Sequence, residues 1–135
     1  MLLGADVSHN TGPEGLKPSL ATVVGSIDKY ATRYVAAACN QTARQEIIQN
    51  LASMIEFCVR EFVKCHEVYE KRRTLPERII YYRDGVSEGQ FEKVLREELP
   101  AIRKGIQNLK PPIEQFTKIK ITVCIVRCAL LSYQF

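Results

Sequence analysis

Residues 79–91 read Ile-Ile-Tyr-Tyr-Arg-Asp-Gly-Val-Ser-Glu-Gly-Gln-Phe, an apolar run that ends in a basic residue, an acid and a glycine. Ile79, Ile80, Tyr81 and Tyr82 are β-branched or aromatic, which predicts a buried strand. Arg83, Asp84 and Gly85 then fall at its carboxyl end, where open α/β sheets collect their functional residues. Ser87-Glu88-Gly89-Gln90 has the spacing of a capping box, with Ser87 accepting from the amide three residues on and Gln90 reaching back. Asp84 is therefore expected at a strand-to-helix corner. Taken alone, an Asp-Gly pair there reads first as turn chemistry and only second as a functional acid.

Working outward, Leu2 to Val7 predicts a first strand, Ser8 to Pro18 a loop, Ser19 to Ile27 a second strand and Arg33 to Asn40 a third. Ile47, Ile48, Leu51, Met54, Ile55, Cys58, Val59 and Phe62 recur at helical spacing, so one long helix is expected from about Thr42 to Arg72, closed by Pro76. The strand at Arg78 to Arg83 follows, then a helix from Glu88 to about Leu109, a Pro111-Pro112 break and a last strand from Ile119 to Val126. Three strands on short turns, then two strands separated by helices, make an α/β fold with a mixed sheet, antiparallel first and parallel afterwards.

Composition bounds the rest. A chain of 135 residues with 46% hydrophobic and 25% charged residues fits one small globular core. A net charge of +4 and a pI near 8.8 permit an anionic partner without requiring one. The densest basic run, Lys71-Arg72-Arg73, reads as a solvated helix end. Cys39, Cys58, Cys65, Cys124 and Cys128 lack the close pairs of a zinc site, and the Cys65-His66 pair has no second ligand pair to match it, so free buried thiols are expected. The Met1 start reads straight into a strand with no secretory signal visible, and no apolar run reaches membrane-spanning length, so a reducing intracellular compartment is expected.

Four stretches, in order, carry a resemblance: Leu3-Gly4-Ala5-Asp6-Val7-Ser8-His9, Pro18 to Ser26, Arg44-Gln45-Glu46-Ile47-Ile48-Gln49-Asn50-Leu51, and Tyr82 to Phe91. Together they resemble the PIWI domain of eukaryotic Argonaute proteins, a ribonuclease H-like module. The resemblance covers residues 2–126, as the first part of a PIWI domain, and leaves 127–135 as a divergent apolar tail. It implies that the first strand lies centrally beside the fourth, and that Asp6, Glu46 and Asp84 are catalytic, with Asp6 and Asp84 holding Mg2+ or Mn2+. Carboxylates on adjacent strands repel unless a cation separates them. A two-metal centre would then activate water and support the leaving oxygen.

The implied parent function is small-RNA-guided endonucleolytic cutting of RNA in silencing, or RNA interference, with guide RNA and target RNA as partners in the cytoplasm or the nucleus. A fourth ligand in the family lies beyond this chain, and neither His9 nor His66 stands in for it, so the segment alone is not expected to cut. The alternative is a non-catalytic remnant that binds RNA or silencing partners. The family also binds tryptophan-containing peptides near the long helix, where Phe62 aligns with an aromatic but falls on the core stripe. Three departures stand out: Asn10, the charged connection from Cys65 to Thr74, and the tail from Arg127 to Phe135. The tail reads as the mark of a truncated gene model, a read-through intron or a decayed copy, and self-association through uncovered sheet and the apolar tail is expected.

Overall fold

The computed structural model describes residues 1–9, 17–110 and 113–126. Its strands are β1 (Leu2–Ser8), β2 (Ser19–Ser26), β3 (Tyr34–Gln41), β4 (Arg78–Asp84) and β5 (Lys120–Val126), and its helices are α1 (Leu51–Glu70), α2 (Phe91–Gln107) and α3 (Ile113–Lys118). The sheet order is β3-β2-β1-β4-β5. β1–β2 and β2–β3 pair antiparallel, whereas β1–β4 and β4–β5 pair parallel. This is the mixed α/β sheet, antiparallel first and parallel afterwards, that the strand and helix order predicts; β1 is central with β4 beside it, as the resemblance to a ribonuclease H-like module implies.

Register explains how the core forms. Leu3 stands opposite Gly25 and Tyr81, Gly25 opposite Val35, and Tyr81 opposite Val123. Odd-numbered strand residues therefore share one face, since side chains alternate along a strand. Leu3, Ala5, Val7, Ala21, Val23, Ile79 and Tyr81 from that face form one core with Leu51, Ile55, Cys58 and Val59 of α1 and Ile102 and Ile106 of α2. The opposite, even-numbered face contributes nothing to either core cluster.

α1 begins later than the apolar periodicity predicts. Residues 42–50 form a loop, although Ile47 and Ile48 are buried as a helix stripe would have them. Arg44 is left-handed there, with φ at 61°, which no helix interior accommodates. The Gln41 side-chain amide donates to the carbonyls of Gln45 and Ile47, and its oxygen accepts from Gln49 N at 3.2 Å. One buried amide thus replaces the helical ladder. At the other end, Lys71 turns left-handed (φ 55°) with its N–H on the His66 carbonyl, and α1 stops ahead of Pro76.

The capping box does not form. Ser87 makes no side-chain cap; its backbone carbonyl accepts Gln90 N at 2.9 Å and closes a single 3-10 turn, Glu88–Gln90, before α2. α3 is an element the sequence pattern does not announce. Cys58 and Cys65 are buried and, with Cys39 and Cys124, free; burial pushes the Cys58 thiol up to about 11. His66 is buried, stacked on Phe62 at 4.0 Å and bonded through Nδ1 to the Phe62 carbonyl. The 10–16 loop, the Pro111-Pro112 break, Cys128 and the tail at 127–135 lie outside the described residues. No described helix is long and apolar enough to cross a membrane.

Candidate active site

β1 and β4 run parallel and their pairing ends with Ala5 opposite Arg83, so Asp6 and Asp84 come next along neighbouring strands, Asp6 paired with Thr22 of β2 and Asp84 with Val126 of β5. Both are exposed on the even face. Gly85 turns the chain away at φ 74°. Its N–H donates to Asp84 Oδ1 at 2.7 Å, and a Cβ built on it would stand 3.1 Å from Asp6 Oδ1. Glycine answers both demands, a left-handed backbone and close approach by a neighbouring carboxylate. Two hard oxygen donors therefore share one corner, a donor set that suits Mg2+ or Mn2+ better than a soft metal.

Glu46 occupies the 42–50 loop and not the first turn of a helix, so a helix dipole does not account for it. His9 Nε2 lies 2.8 Å from Glu46 Oε1, and His9 Nδ1 lies 2.7 Å from Ser19 Oγ. Ser19, 1% exposed at the start of β2, also accepts Arg44 N at 3.0 Å. The imidazole is thus fixed at one nitrogen while the other holds the glutamate. Among the described residues no three His, Cys, Asp or Glu side chains converge as a metal-holding set. Asp6 and Asp84 both approach Gly85, while the Glu46 carboxylate is held by His9.

A buried ion pair, absent from the expected site, ties the loop to the strand end. Arg83 is 0% exposed and Glu98 of α2 is 1% exposed. Arg83 Nε donates to Glu98 Oε1 at 3.2 Å, while its two terminal nitrogens donate to the carbonyls of Asp84 and Glu46. Glu98 also accepts from Tyr81 Oη at 2.8 Å and from Ile48 N at 3.2 Å. Burial, reinforced by the adjacent Glu98 charge, drives the Tyr81 phenol far above its ordinary pKa. One guanidinium therefore holds the backbone of two candidate acids at once.

A signal for Glu98 does exist in the sequence. Val94, Glu98, Ile102 and Ile106 recur every four residues and occupy the buried stripe of α2. Alternation along β4 also sends Arg83 inward with Ile79 and Tyr81, and a buried cation requires an acidic partner.

Comparison with known proteins follows this geometry. The family model of the Piwi domain matches residues 1–129. The C-terminal lobe of a budding yeast Argonaute is 28% identical with a TM-score of 0.71, over 93% of this chain and 23% of that one. Kluyveromyces polysporus Argonaute with a guide RNA is 29% identical with a TM-score of 0.68, over 93% of this chain and 13% of that one. The MID-PIWI domains of the N. crassa QDE-2 AGO are 26% identical with a TM-score of 0.72, over 92% and 34%. The chain thus spans at most about a third of the length of these similar structures.

Proposed function

The chain belongs to the Piwi domain family, and from that premise we propose that it carries metal-holding carboxylates of a centre that cuts RNA paired to a guide RNA. The observation that supports this most is the corner at which Asp6, Asp84 and Gly85 meet. Asp6 and Asp84 would hold the ion, with Glu46 as the third acid. When bound, Mg2+ or Mn2+ supplies Lewis-acid stabilisation of the charge that develops on a phosphodiester during in-line displacement.

The chain's own residues do the positioning. Gly85 N–H fixes one oxygen of Asp84. His9 and the Arg83 guanidinium set the side chain and the backbone of Glu46 respectively. Both aspartates are exposed, so a polyanionic backbone can approach from the even face. A similar protein, Kluyveromyces polysporus Argonaute, was solved with a guide RNA, and that supports guide RNA as partner.

Manganese tests the reading, because a paramagnetic ion broadens amide resonances close to it. Titration into the chain is expected to bleach Asp6, Asp84 and Gly85 first, and Asp84→Asn is expected to abolish that pattern without lowering the melting temperature. The divalent ion should also tighten binding of a guide–target RNA duplex in the wild type and not in the variant. Bleaching centred on other acids, such as Glu56 and Glu61, would remove the metal from this corner and the proposal with it.

A second reading, partner binding, has its own observation. A cleft of about 640 Å3 opens between α1, the 73–75 segment and the end of α2, with apolar Val63, Leu75 and Leu109, mostly basic charge from Arg60, Lys64, Arg73 and Lys110, and one acid, Glu67, in its lining. That combination suits a tryptophan-bearing peptide with acidic flanks. Phe62 is 7% exposed and serves the core instead. Leu109→Arg is expected to remove binding of such a peptide, read as tryptophan fluorescence; unchanged binding would discard the cleft.

A further inference from the structure

Gln41 closes β3, and its register partner in the sheet is Ser19 at the start of β2. Both are buried, 5% and 1% exposed. From this one rung, two lines of hydrogen bonds reach Glu46. The Gln41 amide donates to the carbonyls of Gln45 and Ile47 and accepts from Gln49 N. Arg83 donates to the Glu46 carbonyl, and Glu98 accepts from Ile48 N. Each of the four consecutive peptide groups from 45–46 to 48–49 is therefore held by a side chain, and Gln41 holds three of them.

We propose that Gln41 is a positioning residue for Glu46, an inference that rests on the reading of Glu46 as the third acid of the site. The Glu46 side chain is 30% exposed, so its placement depends on its backbone and on His9 more than on packing. Ser19 supplies the second line. Its Oγ accepts Arg44 N at 3.0 Å and lies 2.7 Å from His9 Nδ1, so its own proton faces that nitrogen. The ring proton is then left on Nε2, which donates to Glu46 Oε1 at 2.8 Å. One rung of the sheet thus sets both the main chain and the carboxylate of Glu46.

The hold requires a primary amide. Two carbonyls and one N–H converge on a single side-chain end, and only a primary amide offers two N–H donors and an acceptor on one planar group. Glutamate in its place accepts only and sets its charge against two carbonyl oxygens; lysine donates only and strands Gln49 N. Asparagine draws the amide back by one methylene. An amide also carries no charge, so it holds the loop without altering the field that Asp6, Asp84 and Glu46 present to a cation. A misplacement of about 1 Å in a positioned group costs about a hundredfold in rate. That is the scale of error the hold on Glu46 prevents.

Proton NMR of the 135-residue chain tests it. In the wild type both side-chain amide protons of Gln41 are expected to exchange slowly, and His9 Nε2–H to give a resolved resonance. Gln41→Met keeps the length and removes all three bonds; Gln41→Asn, the milder change, carries the same test where the first does not melt cooperatively. In either variant Gln49 N–H is expected to exchange about tenfold faster, the scale of one lost hydrogen bond. The His9 Nε2–H resonance is expected to vanish as Glu46 shifts, with the amide shifts of Asp84 and Gly85 unchanged. Freely exchanging Gln41 amide protons in the wild type, or unchanged Gln49 exchange in the variants, would remove the hold and overturn the proposal. A His9 resonance that survives while Gln49 exchange rises would overturn it too, because Gln41 then only closes the loop, as would equal shifts at Asp84 and Gly85. None of these readouts uses a metal, so a manganese titration that leaves Asp6 and Asp84 unbleached removes the metal reading alone.

Discussion

Glu98→Ala is expected to destabilise the chain by about 3 to 5 kcal/mol, because it strands a charged guanidinium in a site with no water to solvate it. Arg83 is wholly buried, and its remaining contacts are the carbonyls of Asp84 and Glu46, neither of which carries a charge. Tyr81 Oη and Ile48 N lose their acceptor in the same step. Urea unfolding should show a lower midpoint at an unchanged slope. Amide exchange at Ile48 should rise well before global unfolding, since that N–H is held by Glu98 alone.

The companion variant separates charge from packing. Arg83→Met with Glu98→Leu removes both charges and fills the site with apolar volume, a replacement that is commonly neutral in buried pairs. It is expected to recover the part of the loss that comes from the stranded charge, but not the hydrogen bonds of Tyr81 Oη and Ile48 N, which still lack their acceptor, nor the anchoring of Glu46, whose carbonyl then lacks its donor. Manganese bleaching at Asp6 and Asp84 should survive it. A loss under about 1 kcal/mol for Glu98→Ala, on the scale of a solvated pair, would show that water reaches the ion pair.

Much of this architecture is legible in the residues, for identifiable reasons. β-branched alternation and short turns predict each strand to within a residue or two, and the order of strands and helices predicts the mixed sheet. The capping box fails because the Ser87 carbonyl closes the turn that its hydroxyl was expected to cap. The 42–50 loop misleads because Ile47 and Ile48 are buried by tertiary contacts: Ile47 packs with Val86 and Val94, and Ile48 enters the main core. Burial alone does not distinguish a helix from a loop held by a side chain such as Gln41.

The candidate site divides along the same line. Asp6 and Asp84 as a pair rest on the family resemblance, which implies that the first strand lies beside the fourth; alternation and element order alone do not make those two strands neighbours. Glu98 is harder to see. Beside Glu97 it resembles one of two solvated acids on a helix, and only the inward parity of Arg83 and the four-residue spacing from Val94 reveal it as the buried partner. His9 as the holder of Glu46 depends on a loop conformation that local propensity does not specify.

Gly105→Ala is expected to destabilise the chain, although alanine is worth about 1 kcal/mol over glycine in a helix interior. A Cβ on Gly105 would stand 2.4 Å from the carbonyl oxygen of Ala52, 3.0 Å from Ile55 Cβ and 3.1 Å from Glu56 N. The first of these is backbone of α1, so no rotamer change relieves it; α1 and α2 must separate. Ile102 and Ile106, both 0% exposed, and Glu98 with its donors hold α2 in place against that movement. Overpacking of this kind costs about 1 to 3 kcal/mol. The cost outweighs the propensity gain, and Gly105→Val, with a larger and β-branched side chain, should lose more. Gly89→Ala is the control: nothing lies within 4 Å of its added Cβ, so a change within about 0.5 kcal/mol is expected, as at an open surface site. Thermal melts of the three variants decide it. If Gly105→Ala proves as stable as the wild type, the two helices do not touch as closely as this packing requires, and the buried face that carries Glu98 towards Arg83 is wider than drawn here.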